Sequence, residues 1–479
     1  MTRKLFFLLV AMAVLPRLGY GQDAKATIDS AVKAMGDVKT LQIAGSGANY
    51  SFGQSVAPGQ PWPKFTVKSI TRTIDYETPA LRDEIVRTQA EPNARGGGGI
   101  PLPGEQKQVL AVARTVAWNQ VADAAPTAAI AAVPDRLHQL WITPHGVVKA
   151  AAKHNATVTD DGGKKVIAFT VPGEFKVKAW LSDKNLVEKV ESWSTNPVLG
   201  DMQTDTVYAD YKDFGGVQFP TKITQKAGDF PTLELAVTEV KANAPANIQA
   251  PDNIRQAAIK VDVDKVADGV WYLTGGTHHS VLIEMNDHVI VVEGPLDDPR
   301  ALAVIAEVKK LVPNKPIKYV VHTHHHFDHT GGMGAFAAEG ATIVTHDVNK
   351  AFLEQALAAP RTVKPDKLAQ AGRKPVVEGM QDKRVLSDGT RNIELHLIKG
   401  NIHHNGIIMA YLPKEKILVE ADVYTPAAPN ATPPAQPSPV NVNFYENLER
   451  LKLDVDQILP AHGRKVTLTD LKKWIGKAT

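Results

Sequence analysis

The chain has no cysteine among its 479 residues. That absence removes disulfides, thiolate metal ligands and a cysteine nucleophile together. A chain of this length buries enough surface to fold without disulfides. Lysine and arginine form no run, and 54 basic side chains face 51 acidic ones. The first residues, MTRKLFFLLVAMAVLPRLGYGQ, have a basic start, an apolar run from Leu5 to Leu15 and small residues at Gly19 and Gly21. That layout predicts a signal peptide over residues 1–22 and a periplasmic or secreted protein. The leader holds Arg3, Lys4 and Arg17 and no acid, so the remainder carries 54 − 3 = 51 bases against 51 acids. A neutral chain has little grip on phosphate backbones, which excludes a nucleic-acid partner. No later stretch has the length and apolarity to span a bilayer. The tetraglycine Gly96–Gly99 is not followed by Gly-Lys-Ser/Thr, so it is no phosphate cradle, and residues 91–104 read as a mobile loop. No internal repeat of fixed period is evident.

What is present divides in two. Residues 24–245 read as a β-rich antiparallel domain, with extended segments at 64–77, 164–171, 175–183 and 232–242 separated by turns such as Asp160-Asp161-Gly162-Gly163. Residues 246–259, rich in Ala, Asn and Pro, read as a linker. From residue 260 to 479 strands and helices alternate, which predicts a layered α/β architecture. Strands are expected at 280–285, 288–293, 317–323, 342–347, 406–413 and 416–422. A helix is expected to start at Asp298 as N-cap with Pro299 behind it, and to stop at Pro313. Further helices are expected at 348–358 and 468–476.

Residues 322–332 read HTHHHFDHTGG. Ligands two apart on extended backbone project to one side, so His324 and His326 suit one metal. The adjacent Asp328 and His329 diverge and suit a second. Imidazole and carboxylate are donors that fit Zn2+ and similar ions. Downstream, His403 or His404, then Asp422 at the end of a strand and His462 in ILPAHGR, recur in apolar surroundings.

Taken together, this set resembles the metallo-β-lactamase superfamily over about residues 260–479. The resemblance implies an αββα sandwich with two divalent metal ions, Zn2+ expected, at one edge. His324, His326 and His403 would hold the first and Asp328, His329 and His462 the second, with Asp422 bridging. His403 is preferred to His404 because it stands ten residues before Pro413 of the Tyr-Leu-Pro turn. Glu293 takes the place of a supporting acid, more commonly Asp. His278 and His279 lie in a loop that borders the pocket in relatives, which makes them substrate-contact candidates. The proline-rich run 425–439 is a candidate lid or wall. The resemblance implies a hydrolase in which a metal-bridging hydroxide, oriented by Asp328, cleaves a carbonyl substrate: lactone, thioester, ester or β-lactam. Asp422 stands where many β-lactamases have Cys, and Glu420-Ala421 replaces a small pair. A diiron oxidoreductase is disfavoured by His326, where those relatives have Glu. Residues 208–223, YADYKDFGGVQFPTKI, resemble lipoprotein-carrier half-barrels, which implies a lipid or hydrophobic ligand for the N-terminal domain. The alternative function is a periplasmic binding or carrier protein whose metallohydrolase domain holds metal without catalysis. Oligomeric state is left open.

Overall fold

The computed structural model describes residues 20–477. The expected leader at residues 1–22 lies outside them, except for its last three residues, which open the helix Tyr20–Met35.

Among the described residues the N-terminal region forms one 13-stranded sheet, from Thr40–Tyr50 to Phe230–Ala242. Those first and last strands pair antiparallel in the middle of the sheet, and the rest meander outward on either side. The edges are the strands Thr127–Ala128 and Thr157–Asp161, which leaves the sheet open. Phe175–Leu181 alternates buried and accessible side chains strictly, as a strand with one covered face should. The covering comes from three helices that the turn-and-strand reading of residues 24–245 does not anticipate: Tyr20–Met35, Val133–Trp141 and Pro144–Ala151. Ile28, Ala31 and Met35 of the first, Leu140 of the second and Val147 and Val148 of the third join the sheet's Ile74, Leu81, Ile167 and Phe219 in one core. Almost all of Pro144–Ala151 is buried, so it shows no polar face for a periodic pattern to reveal. In the 246–259 stretch, Ala250 and Ile254 pack against Trp118 of the N-terminal sheet.

The C-terminal region is an αββα sandwich. A seven-stranded sheet begins at Asp262–Ala267 and ends at Val376–Met380; a six-stranded one runs from Lys383–Ser387 to Val466–Thr467. Between them lies a core of Ile283, Val292, Val321, Leu395, Ala410 and Val419, among others. Helices Asp298–Leu311 and Met333–Glu339 cover the outside of the first sheet, and Pro439–Leu451 and Leu468–Trp474 that of the second. Strands Val289–Val292 and Ile417–Glu420 are buried at every residue, as expected of strands covered on both faces. The N-cap of Asp298–Leu311 is Asp297, whose side chain accepts from Arg300 N at 3.0 Å; Asp298 is already helical, one residue from the expected cap.

The two regions are joined by an aromatic contact. Phe52 meets Trp62 at 4.7 Å between ring centroids and Phe327 at 5.1 Å. Gly53, at φ +71°, lies so close to the Phe327 ring that a Cβ there would fall 2.3 Å from it. No helix among the described residues is long and apolar enough to cross a membrane.

Candidate metal centre

Parallel strands bring the donors to one edge. Val289–Val292 and Ile317–Val321 run parallel in the first sheet, so Glu293 and the loop that starts at His322 leave from the same end. Ile417–Glu420 and Gln457–Pro460 run parallel in the second, which places Asp422 and His462 side by side. Ile408 N donates to Thr323 O at 3.0 Å and ties the second sheet to the histidine loop. Glu293 (φ +71°) and Asp422 (φ +64°) both take the left-handed conformation, uncommon without glycine, to turn sharply off their strands.

The side chains form two groups of donors. His324, His326, His403 and Asp422 make one, and His278, Asp328, His329 and His462 the other, the donor atoms of each lying within 4.8 Å of one another. His324 Nε2 is 2.9 Å from His326 Nδ1 and 3.3 Å from His403 Nε2. Asp422 faces both groups. Its Oδ2 is 3.1 Å from His403 Nε2, and its Oδ1 is 3.0 Å from His329 Nε2 and 2.8 Å from His462 Nε2. Oδ1 is buried, yet none of its neighbours is angled to donate a hydrogen bond to it. An anionic oxygen placed so, among imidazole nitrogens, fits a shared cation better than it fits hydrogen bonding.

The nitrogens turned away from the centre are held. His329 Nδ1 donates to Glu293 Oε2 at 2.6 Å, and His462 Nδ1 to Thr277 O at 2.9 Å. His324 Nδ1 meets Thr323 Oγ1 at 3.0 Å, and His278 Nδ1 meets Thr277 Oγ1 at 2.9 Å. Such partners set the tautomer and aim the other nitrogen. Electrostatics separates the groups. Burial, with neighbouring imidazoles, holds His324 well below its ordinary value and His326 at about 3, so both are neutral donors. Burial also disfavours charge on His329, but Asp422, Glu293 and Asp328 outweigh it and push its pKa well up. Three carboxylates around one buried imidazole mark a place that calls for positive charge. Glu420, driven to about 8 by burial and then by Asp422, accepts from Val423 N and Tyr424 N behind the loop.

The sequence pattern that defines the metallo-beta-lactamase superfamily matches residues 273–462. That segment belongs to the metallo-beta-lactamase superfamily. A 220-residue stretch is 26% identical to the 2,4-dinitroanisole O-demethylase subunit alpha of Nocardioides sp. (strain JS1661), covering 44% of this chain and 61% of that relative. The chain thus spans less than two thirds of that relative's length. Among solved structures, a metallo-beta-lactamase from Pontibacter korlensis is similar at 19% identity and TM-score 0.35, over 45% of this chain and 98% of the other. One from Hirschia baltica is similar at 20% identity and TM-score 0.34, over 46% and 99%.

Within the metallo-beta-lactamase domain all seven expected ligands converge, with His403 and not His404 facing Asp422. His404 Nε2 instead lies 2.5 Å from His325 Nδ1, and its own Nδ1 accepts from Gly406 N. His322 bridges Thr345 and Thr330 away from the donors. The two substrate-contact candidates part company. His278 joins the second donor group, its Nε2 3.0 Å from Asp328 Oδ2. The ring nitrogens of His279 instead lie against Tyr272 OH and Gly276 O, so it braces the loop and stands outside both donor groups. Tyr272 OH donates in turn to Pro460 O, two residues from His462. Glu293, in the place where Asp is more common, reaches both His329 and Thr323 N (3.1 Å). The run 425–439 stays irregular up to the helix Pro439–Leu451, and its start lies against the loop of His462: Arg464 Nε donates to Ala427 O at 3.2 Å.

Residues 91–104, expected to be a mobile loop, have one part held against the site. They are irregular, but Gly96 and Gly97 are buried against the histidine loops. Composition suggested flexibility because glycine has no side chain; here that lack permits close approach.

Proposed function

We propose that the protein is an exported, metal-dependent hydrolase that uses two divalent metal ions, Zn2+ foremost, to cleave a carbonyl compound such as a lactone, thioester, ester or β-lactam. The observation that carries this reading is Asp422, one largely buried carboxylate with an oxygen turned to each donor group. Metal ions bound there supply a water of lowered pKa and polarise the oxygen of the bond to be broken. The chain's own residues provide the rest. Asp328 is the most open of the donors with a side chain 30% exposed, against 20% for His462 and 12% for Asp422, so substrate and water enter on its side. Its carboxylate, held by neighbours at both oxygens, orients the attacking water. Buried, neutral His324 and His326 keep solvent from the far side.

The N-terminal sheet holds a cavity of about 300 Å³ lined by Ile70, Leu81, Ile85 and Leu235 and by the ion-paired Arg72 and Asp83. Thr204 Oγ1 in its wall is buried without a partner. These features support a ligand with an apolar body and a polar group for this domain.

The test is hydrolysis by the purified protein of a chromogenic cephalosporin, an acyl lactone, a thioester and 2,4-dinitroanisole, with and without chelator. Dinitroanisole is included because a relative is named for it. Chelator-sensitive cleavage of any carbonyl substrate supports the proposal. Cleavage of the ether alone moves the substrate class, and metal binding with no turnover favours the carrier reading.

A further inference from the structure

Two hydrogen bonds enter the metal centre from the other domain. Gln54 Nε2 donates to Asp328 Oδ1 at 2.8 Å, and His326 Nε2 donates to Ser55 O at 2.9 Å. The first leaves Asp328 Oδ2 as the oxygen turned to His278 Nε2 and His329 Nε2. The second puts the His326 proton on Nε2, so Nδ1, the atom beside His324, keeps its lone pair. Gln54 is held in turn by the tetraglycine. Gly97 N donates to Gln54 O at 2.9 Å, and Gly96 N to Ile402 O at 2.9 Å, one residue before His403. A Cβ on Gly97 would lie 2.1 Å from Gln54 Oε1 and 2.7 Å from His326 Cε1. Nothing larger than glycine fits between these two side chains.

We infer that the N-terminal domain is a working part of the metal centre: Gln54 is a positioning residue for Asp328, the Ser55 carbonyl fixes the tautomer of His326, and Gly97 is the spacer that lets both approach. This rests on the reading of the two donor groups as a metal site. Gln54 acts through Asp328, since an amide N–H on one carboxylate oxygen fixes the rotation of the other. Its effect therefore falls on metal affinity and ligand geometry, and on turnover only as a consequence.

The test uses the full-length protein loaded with Co2+, reading metal stoichiometry, affinity by chelator competition and the visible spectrum, beside the melting temperature of the metal-free form. Gln54→Met keeps the length and removes the donor; Gln54→Glu sets a second carboxylate against Asp328; Gly97→Ala adds the methyl that has no room. Gln60→Met, at an exposed position of the same segment, is the control. Expected are a ~10-fold or greater loss of Co2+ affinity and an altered spectrum in all three site variants, with the metal-free melting temperature near wild type and the control unchanged. Wild-type affinity and spectrum in Gln54→Met and Gly97→Ala overturn the inference. So does a loss matched by Gln60→Met, or one that appears only with a collapsed metal-free fold. If the wild-type protein itself takes up no Co2+, it is the metal-site reading that fails.

Discussion

His329 Nδ1 donates to Glu293 Oε2 at 2.6 Å, with both side chains out of contact with solvent. Glu293 accepts from Thr323 N through its other oxygen, so one carboxylate braces two points of the histidine loop. Glu293→Gln keeps the shape but not the charge. It is expected to weaken metal binding at the His329 side by about 10–100-fold, with the fold retained. Titration with a metal indicator beside a thermal melt checks this, and unchanged affinity removes Glu293 from the centre.

His403 and His404 are adjacent but face different partners. His403→Ala is expected to cost metal and activity together. His404→Ala should leave metal stoichiometry intact and cost about 1–3 kcal/mol of stability, because His325 and Gly406 N lose a buried partner. Elemental analysis and denaturant melts separate the two, and reversed results would exchange their roles.

Asp328→Ala is expected to abolish turnover on whichever substrate the wild type accepts, with circular dichroism unchanged. Full retained activity in that variant would sink the assignment of Asp328 as the residue that orients water.

The N-terminal core carries its own pH dependence. Burial pushes His138 and His145 down to about 4 from an ordinary 6.5. Among the described residues, His138 has only Ser192 Oγ as a hydrogen-bond partner, and His145 only Met35 O. Between those values the unfolded chain binds protons that the folded one refuses. Their stabilisation is therefore present above about pH 6.5 and lost as pH falls towards 4, by up to about 3 kcal/mol for each. Denaturant melts from pH 7.5 to 4.5 should show the loss, with a shallower slope in His138→Gln. An identical slope in that variant counts against the account.

Much of the metallo-beta-lactamase domain was legible in the chain because its signals are local. Apolar runs such as Val289–Val292 are buried on both faces whatever their partners, and Asp297-Asp298-Pro299 marks a helix start to within one residue. His-x-His-x-Asp-His places its donors by backbone geometry alone. The helices Tyr20–Met35 and Pro144–Ala151 were not legible, since one starts inside the stretch read as a leader and the other is buried at all but Lys149.

What the sequence by itself determined is the donor chemistry: no thiolate, and five histidines and two aspartates in a fixed order, one of those aspartates ending a buried strand. Only the tertiary structure decided which side chains complete it. His278 became a donor and His279 a brace because the loop before Ser280–Glu284 turns one ring to Asp328 and the other to Tyr272. Gln54 and Ser55 reach Asp328 and His326 across 274 and 271 residues of chain. Contacts at such separation depend on how two domains dock, through Phe52, Trp62 and Phe327, and on a glycine small enough to let them close. No periodicity along the chain records that docking, because it is set by the shapes of surfaces that exist only once both domains have folded.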